Sequence, residues 1–281
     1  MKLTVTGQAV SGIGSCLAVQ ELKVFLDMGV MLPEGHRFPT VFITHGHTDH
    51  VGALMSYVAT RDMMNMPPPT LYMPSSLVGP LNAALEAWRG VDPQAKLPCS
   101  LVGFDVGDEL WLDEDGRKRW LDEDGRKRWL VRPFATEHRM ESQGYAFFYV
   151  VDKLKDEYKG QNVKLLREQG VEVLEKQESL ELAYTGDTTV KVFEMNPWLK
   201  DAKKLVMEVT FTHDDVSVEE AHKRGHIHLE ELVANPGLLP KGEVVFCHFS
   251  RRQDPMEVAQ AIVKAKPAID PEGRVSLLKS A

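Results

Sequence analysis

Cysteine is scarce. The 281 residues contain only Cys16, Cys99 and Cys247, an odd number with no regular spacing, which excludes a disulfide framework and favours a reducing compartment. Their ordinary role is small apolar packing. An excess of positive charge is also missing: 33 Lys and Arg stand against 41 Asp and Glu, for a formal net charge of −8. That balance excludes a broad basic surface for nonspecific nucleic-acid binding, while leaving room for a local patch. No apolar run is long enough to span a bilayer, so no membrane partner is expected. The opening MKLTVTG has the alternation of a strand and no apolar signal core, and the expected location is cytoplasmic. What is present is ample core material, 43% hydrophobic residues, which suits one domain over residues 1–281.

Strand and helix signals alternate, the pattern of an α/β protein. Short strands are expected at Leu3 to Thr6, Cys16 to Gln20, Val24 to Leu26, Thr40 to Thr44 and Thr70 to Met73. Helices are expected over 50–63 and 76–90, with the prolines of Met66-Pro67-Pro68-Pro69 forcing a break before the next strand. Strand-like stretches return from Leu101 to Val151, at Glu181 to Thr185, at Lys204 to Phe211 and at Val244 to Cys247, with a helix near 229–234. Trp111 to Arg119 (WLDEDGRKR) is repeated without change as Trp120 to Arg128. Each copy holds equal numbers of acids and bases and an Asp-Gly turn signal, so the repeat over 111–128 is read as a duplication tolerated at a hairpin tip.

The densest chemistry lies at Thr44-His45-Gly46-His47-Thr48-Asp49-His50. The apolar, β-branched strand before it and the helical pattern after it place these residues on a strand-to-helix loop. Alternate side chains of an extended loop converge, so His45 and His47 can share one ion while Asp49 and His50 turn to a second. A polar loop whose histidines cap a helix is the plain alternative, but it gives no reason to crowd four such groups together. Imidazole nitrogen with carboxylate oxygen suits zinc first, with manganese or iron possible. His138, after the strand-like Leu130 to Ala135, could add a third imidazole to the first site. Asp187, in Tyr184-Thr185-Gly186-Asp187-Thr188, projects from a strand end and could bridge two ions, although a lone Gly-Asp-Thr is by default a turn. His248 follows the strand VVFC.

The ordered set of HxHxDH at 45–50, His138, Gly186-Asp187 and His248 resembles the metallo-β-lactamase superfamily. That resemblance implies a four-layered αβ/βα sandwich with a dinuclear site along one edge. Within the superfamily the chain is most similar to the ribonuclease Z family of tRNA 3′-processing endonucleases, in its short plant-type form, through THGHTDHVGAL, ESQGYAFF, KLKDEYKG, AYTGDTT, MEVTF, RGHIHLEEL and CHFSRR. The resemblance implies that His45, His47 and His138 hold one zinc ion, Asp49, His50 and His248 the other, and that Asp187 bridges them. It implies hydrolysis of precursor tRNA through a metal-bridging hydroxide, with Asp49 orienting it and accepting its proton. Glu208 and His226 are then the pair that protonates the leaving 3′ oxygen, with His228 a close competitor of His226. Asp27 is expected to orient a ligand, and Ser250 and Arg252 to meet a substrate phosphate; His36, His213 and His222 are expected to be surface or capping residues. A homodimer is expected by the same resemblance.

One departure bears on substrate choice. Family members grip tRNA with a protruding arm between the positions of His138 and Asp187. Here residues 152–181 offer a compact helix-like segment and a hairpin, in which Lys153, Lys155, Lys159 and Lys164 are interleaved with Asp156, Glu157, Glu172 and Glu175. A small-molecule hydrolase of the same fold, acting on a cyclic nucleotide, thioester or lactone, is therefore the alternative; a noncatalytic RNA-binding member would be expected to have lost some ligands.

Overall fold

The structure is a computed structural model that describes residues 2–112 and 128–279. The chain opens with β1 (Val5–Ser11) and β2 (Gly14–Val19), an antiparallel hairpin. Four strands then add side by side: β3 (Val24–Leu26), β4 (Thr40–Phe42), β5 (Thr70–Met73) and β6 (Ser100–Gly103), the last three each parallel to the one before. Helices α1 (Thr48–Val51), α2 (Leu54–Met63) and α3 (Ser75–Val91) make the connections. The second sheet contains β7 (Leu110–Trp111), β8 (Trp129–Ala135), β9 (Gln143–Leu154), β10 (Leu174–Tyr184), β11 (Lys204–Glu208), β12 (Glu243–Cys247) and β14 (Val275–Leu277). Its connections include α4 (Val163–Glu168), α5 (Val192–Met195), α6 (Val218–Lys223), α7 (Leu229–Ala234) and α8 (Pro255–Ile269). The strand β13 (Phe249–Ser250) follows β12 but pairs parallel with β1, so among the described residues each sheet has seven strands, and the chain changes sheets at His248.

Three apolar clusters fill the spaces. Phe42, Leu17, Leu26 and Val24 from the first sheet meet Tyr145, Phe147, Leu182 and Val206 from the second. Phe42 sits at the centre, in ring contact with Tyr72, Phe104, Tyr145 and Phe147. Burying such a side chain contributes roughly 1.5–3 kcal/mol. Outside the first sheet, Leu54, Tyr57, Val58 and Leu85 of α2 and α3 cover Phe25, Val41 and Leu71. Outside the second, Leu229, Leu232, Ile262 and Ile269 of α7 and α8 cover Leu205, Val244 and Phe246. The order helix, sheet, sheet, helix is the expected αβ/βα sandwich. Strands β2, β3 and β4 are buried throughout, as strands covered on both faces must be.

Several boundaries differ from those expected: the strand expected at Lys204 to Phe211 ends at Glu208, and the one expected at Glu181 to Thr185 begins at Leu174. The expected helix over 50–63 is two helices, because the His50 carbonyl accepts from the Met28 N–H (2.8 Å) and the Ala53 N–H donates to the Met28 carbonyl (3.0 Å). The segment after β3 thus takes the hydrogen bonds that a continuous helix would use. The first strand begins later than Leu3 and runs to Ser11, since pairing with β2 as far as Val10↔Gly14 sets its extent. Residues 152–181 form the expected hairpin, β9 against β10 with Leu154 opposite Leu174, carrying α4 at its tip. The turn signals of the duplicated repeat lie outside the described residues. Among the described residues, no helix is long and apolar enough to cross a membrane.

Candidate metal centre

The strands β3 and β4 run parallel, as do β10, β11 and β12, and β8 runs in the direction of β10 because both are antiparallel to β9. Asp27, His45, His138, Asp187, Glu208 and His248 lie at or just beyond the C-terminal ends of these strands. The topology therefore gathers them along one edge, the usual place for a site in sheets of this kind. Three of the strand ends leave through left-handed backbone: Asp27 at φ 61°, Gly186 at φ 59° and His248 at φ 61°. Such a backbone is costly for a residue with a Cβ unless its surroundings hold it. At Gly186 a Cβ would come within 2.8 Å of the Thr44 side chain, and at Gly225 within 2.6 Å of His138 Nδ1. Those two glycines let the two sheets close on the site.

Among the described residues the side chains form three overlapping groups able to hold a metal ion: His45, His47, His138 and Asp187 in the first, Asp49, His50 and His248 in the second, and Asp187, His226 and His248 in a third. In the first, His45 Nε2 and His138 Nε2 lie 3.0 and 3.2 Å from His47 Nδ1, and His45 Nε2 lies 3.7 Å from Asp187 Oδ2. In the second, His248 Nε2 lies 3.6 Å from Asp49 Oδ2. Asp187 joins them, with Oδ1 3.4 Å from His50 Nε2 and 3.3 Å from His248 Nδ1.

The outer nitrogens of His45, His50, His138 and His248 are held by the protein, which fixes how the inner ones point. His50 Nδ1–H donates to Asp27 Oδ2 (2.8 Å). The Thr44 hydroxyl donates to Asp27 (3.0 Å) and accepts from His45 Nδ1–H (3.0 Å). Asp27 also accepts from the Thr44 N–H and the Tyr184 hydroxyl. His138 Nδ1–H donates to the Gly225 carbonyl (2.8 Å). On the second sheet the Thr210 hydroxyl donates to Glu208 Oε2 (2.6 Å) and accepts from His248 Nδ1–H (3.1 Å). Buried His50 Nε2 and His248 Nε2 have no hydrogen-bond partner. A buried nitrogen left so is costly in a protein built for itself alone, and it fits a set of imidazole and carboxylate donors suited to a borderline cation such as zinc.

Electrostatics follow from the same packing. Burial pushes the pKa of His45 well below the ordinary histidine value, and lowers His47 and His138 too, which keeps these rings neutral and able to donate lone pairs. Burial acts in the same direction on His50, yet Asp187 and Asp27 outweigh it and raise that ring well above the usual range. Burial alone would raise Asp187, but His248, His50 and His45 hold it well below the carboxylate range. Asp49 is likewise lowered against its burial, by His248 and His50 and by the Gly12 N–H that donates to Oδ2 (2.6 Å).

At the rim, His226 Nδ1–H donates to Glu208 Oε1 (2.8 Å), and Glu208 also accepts from the N–H groups of Thr188 and Thr210. Burial lowers the His226 pKa but Glu208 more than restores it, for a net rise. Its competitor His228 is turned elsewhere: Nδ1 accepts from the Glu230 N–H at the start of α7, and Nε2–H faces the His213 carbonyl (3.2 Å). His222 pairs with Glu231. Ser250 is not among the metal-capable groups; it lines a cleft beside them, as Arg251 does, while Arg252 is exposed on the turn after β13. Thr44 and Thr210, which wire the imidazoles to the carboxylates, escaped the sequence reading, because a threonine beside a histidine carries no signal until the fold supplies its carboxylate.

No family model matches the chain. Among relatives, tRNase Z TRZ1 of Arabidopsis thaliana is 35% identical over 279 residues, covering 98% of this chain and 94% of that protein. The chloroplastic tRNase Z TRZ2 of the same plant is 33% identical over 271 residues, covering 94% of this chain and 72% of its own length. Among solved structures, the human tRNase Z short form superposes with a TM-score of 0.55 at 19% identity, covering 99% of this chain and 96% of its own. The metallo-β-lactamase fold protein YhfI from Bacillus subtilis gives a TM-score of 0.63 at 13% identity, with 100% and 98% covered. With that fold, this constellation and identity of that extent along almost its whole length, the chain belongs to the tRNase Z family.

Proposed function

We propose that the protein is a zinc-dependent endoribonuclease that removes the 3′ trailer of precursor tRNA and leaves a 3′ hydroxyl on the tRNA. His45, His47 and His138 would hold one ion, Asp49, His50 and His248 the other, and Asp187 would face both. Bound there, the two ions supply Lewis acidity that acidifies a water and neutralises charge on the scissile phosphodiester. Asp49, oriented by the Gly12 N–H, accepts the proton of the attacking water. A ribose 3′ oxygen is a poor leaving group and needs a proton as the bond to phosphorus breaks. His226 gives it, and Glu208 holds the ring in the orientation and protonation state to do so. The observation that carries this reading is the Glu208–His226 pair at the rim of the ligand cluster, since a hydrolase expelling a thiolate has no use for such an acid. Ser250 and Arg252 are assigned to substrate phosphates. We read the hairpin at residues 152–181 as a shortened equivalent of an RNA-gripping arm, and the active species as a homodimer in the cytoplasm.

The test is cleavage of a 3′-extended precursor tRNA by zinc-loaded protein, with His226→Ala and Asp49→Ala in parallel and bis(p-nitrophenyl) phosphate as a second substrate. A single cut beside the discriminator nucleotide, lost in both variants, is expected. Hydrolysis of the small diester with intact precursor tRNA would overturn the RNA assignment and favour a small-molecule substrate.

A further inference from the structure

Beside the ligand cluster lies a cleft of about 760 Å³, walled by β1, the β1–β2 turn, β13 and the start of α8. None of the metal-capable side chains lines it, but two of its walls continue in the chain into that centre. Phe249 follows His248 directly, and the turn that carries Ile13 also carries Gly12, whose N–H holds Asp49. The lining is mostly apolar: Ile13, Leu32, Phe249 and Leu277 face it. Set among them is Gln253, only 9% exposed. Its Oε1 accepts from the Thr212 hydroxyl (3.2 Å), while its buried Nε2 has no partner. An amide half satisfied and otherwise removed from water costs stability unless something completes it. At the mouth, Arg251 is exposed and lines the same cleft.

We propose that this cleft receives one unpaired nucleobase of the RNA strand next to the scissile phosphate, with the Gln253 amide reading the base edge and Arg251 meeting the adjoining phosphate. The proposal rests on the ribonuclease reading above. An aromatic face, an apolar floor and one amide are the means by which proteins take up a splayed-out base: the ring is stacked and its edge is hydrogen-bonded. The guanidinium outside matches the phosphate that must accompany such a base. A purely aliphatic guest would leave the amide unpaired, and a guest lacking negative charge would make no use of Arg251. The cleft is roomy enough for a nucleotide with its sugar and phosphate. Because the cleft and the metal centre share the Gly12–Ile13 turn and the His248–Phe249 link, the base it holds belongs to a nucleotide beside the cut.

The experiment uses full-length, zinc-matched wild-type and Gln253→Leu proteins on precursor tRNAs that each carry one abasic nucleotide, placed in turn at positions flanking the cut. For wild type, one position is expected to raise KM about tenfold, the loss of one stacked and hydrogen-bonded base. Gln253→Leu should show a raised KM on the complete substrate, and the abasic penalty at that same position should shrink to less than about threefold, because the two changes remove one interaction. Penalties that multiply independently, or the lack of any sensitive position, would overturn the base-binding cleft while leaving the ribonuclease intact. If wild-type protein hydrolyses bis(p-nitrophenyl) phosphate but leaves the complete precursor uncut, the proposed function fails and the cleft assignment fails with it. Arg251→Gln supplies the second arm: the slope of binding against salt should fall by about one phosphate contact, and an unchanged slope would remove Arg251 from the proposal.

Discussion

Two buried carboxylates, one from each sheet, are wired almost alike. Asp27 grips His50 directly and His45 through the Thr44 hydroxyl. Glu208 grips His226 directly and His248 through the Thr210 hydroxyl. Both also take backbone N–H groups, so neither carboxylate faces the interior alone. What separates the modules is the ring held directly. The His50 side chain is 0% exposed and its Nε2 points to Asp187, whereas that of His226 keeps 9% of its surface open at the rim. The lesson is that a carboxylate–imidazole pair has no fixed job. Sealed against a cluster of lone pairs, it is suited to fixing a ligand; left ajar at the rim, it is suited to carrying a proton, the role we propose for His226.

The comparison can be broken most severely at Asp27. Asp27→Ala strands His50 Nδ1–H, the Thr44 N–H and the Tyr184 hydroxyl in a dry interior, and should cost about 3–5 kcal/mol of folding stability. Thermal unfolding with zinc content by elemental analysis should show both falling, and cleavage should drop to background. His226→Ala is the contrasting lesion. Zinc content should stay at the wild-type level while precursor cleavage slows by about 10²–10⁴-fold, with much less effect on bis(p-nitrophenyl) phosphate, whose leaving group needs no proton. Equal losses on both substrates would mean that His226 acts as a ligand after all, and the distinction between the modules would vanish.

The relay threonines sharpen the likeness. Thr44→Val and Thr210→Val keep shape and remove the hydroxyl, so each should weaken zinc retention by about 10–100-fold, read by competition with a chromophoric chelator. Thr210→Val should in addition slow precursor cleavage at saturating zinc, since Thr210 also anchors Glu208; Thr44→Val should not. The smallest effect is expected outside both modules. Lys2 and Lys204 hold the Glu243 carboxyl below its usual 4.5. A lowered folded-state pKa contributes stability above pH 4.5 that is lost as pH falls through the folded value. Melting curves of Glu243→Gln should therefore converge with wild type in acid and lie slightly lower at neutral pH, with cleavage unaltered.

Much of this was legible in the sequence, for a physical reason. Strand ends are marked by apolar runs, so the metal-capable His45, His47 and His248 are legible by position and type, whereas His138 and Asp187, which alone read as an ordinary histidine and a turn residue, gain their meaning from the resemblance. The helix over 229–234 and the strand Thr70 to Met73 were equally plain, since their caps and breakers are local. Less was legible where partners are distant. The break between α1 and α2 depends on Met28, and the choice between His226 and His228 depends on Glu208, which is adjacent to neither in sequence. Gln253 and Arg251 carry no linear signal, because a cleft formed by the first and penultimate strands of the fold has no linear signature. Ser250 and Arg252 came from a motif, and only Ser250 reaches the cleft.

The crossing of the chain at His248 has a temporal consequence. The strand that follows it completes the first sheet against β1, with Phe249 opposite Val10, and the His248 N–H donates to the Ala9 carbonyl. On the ribosome, β1 must therefore wait with one edge unmet until more than two hundred further residues have emerged. The loop that carries His45 to His50 is synthesised early, yet the half of the cluster that needs His248 closes only when that late strand docks. A nascent chain so arranged holds no finished nuclease near the translation machinery, whose own transfer RNAs crowd the surroundings, until synthesis is nearly done.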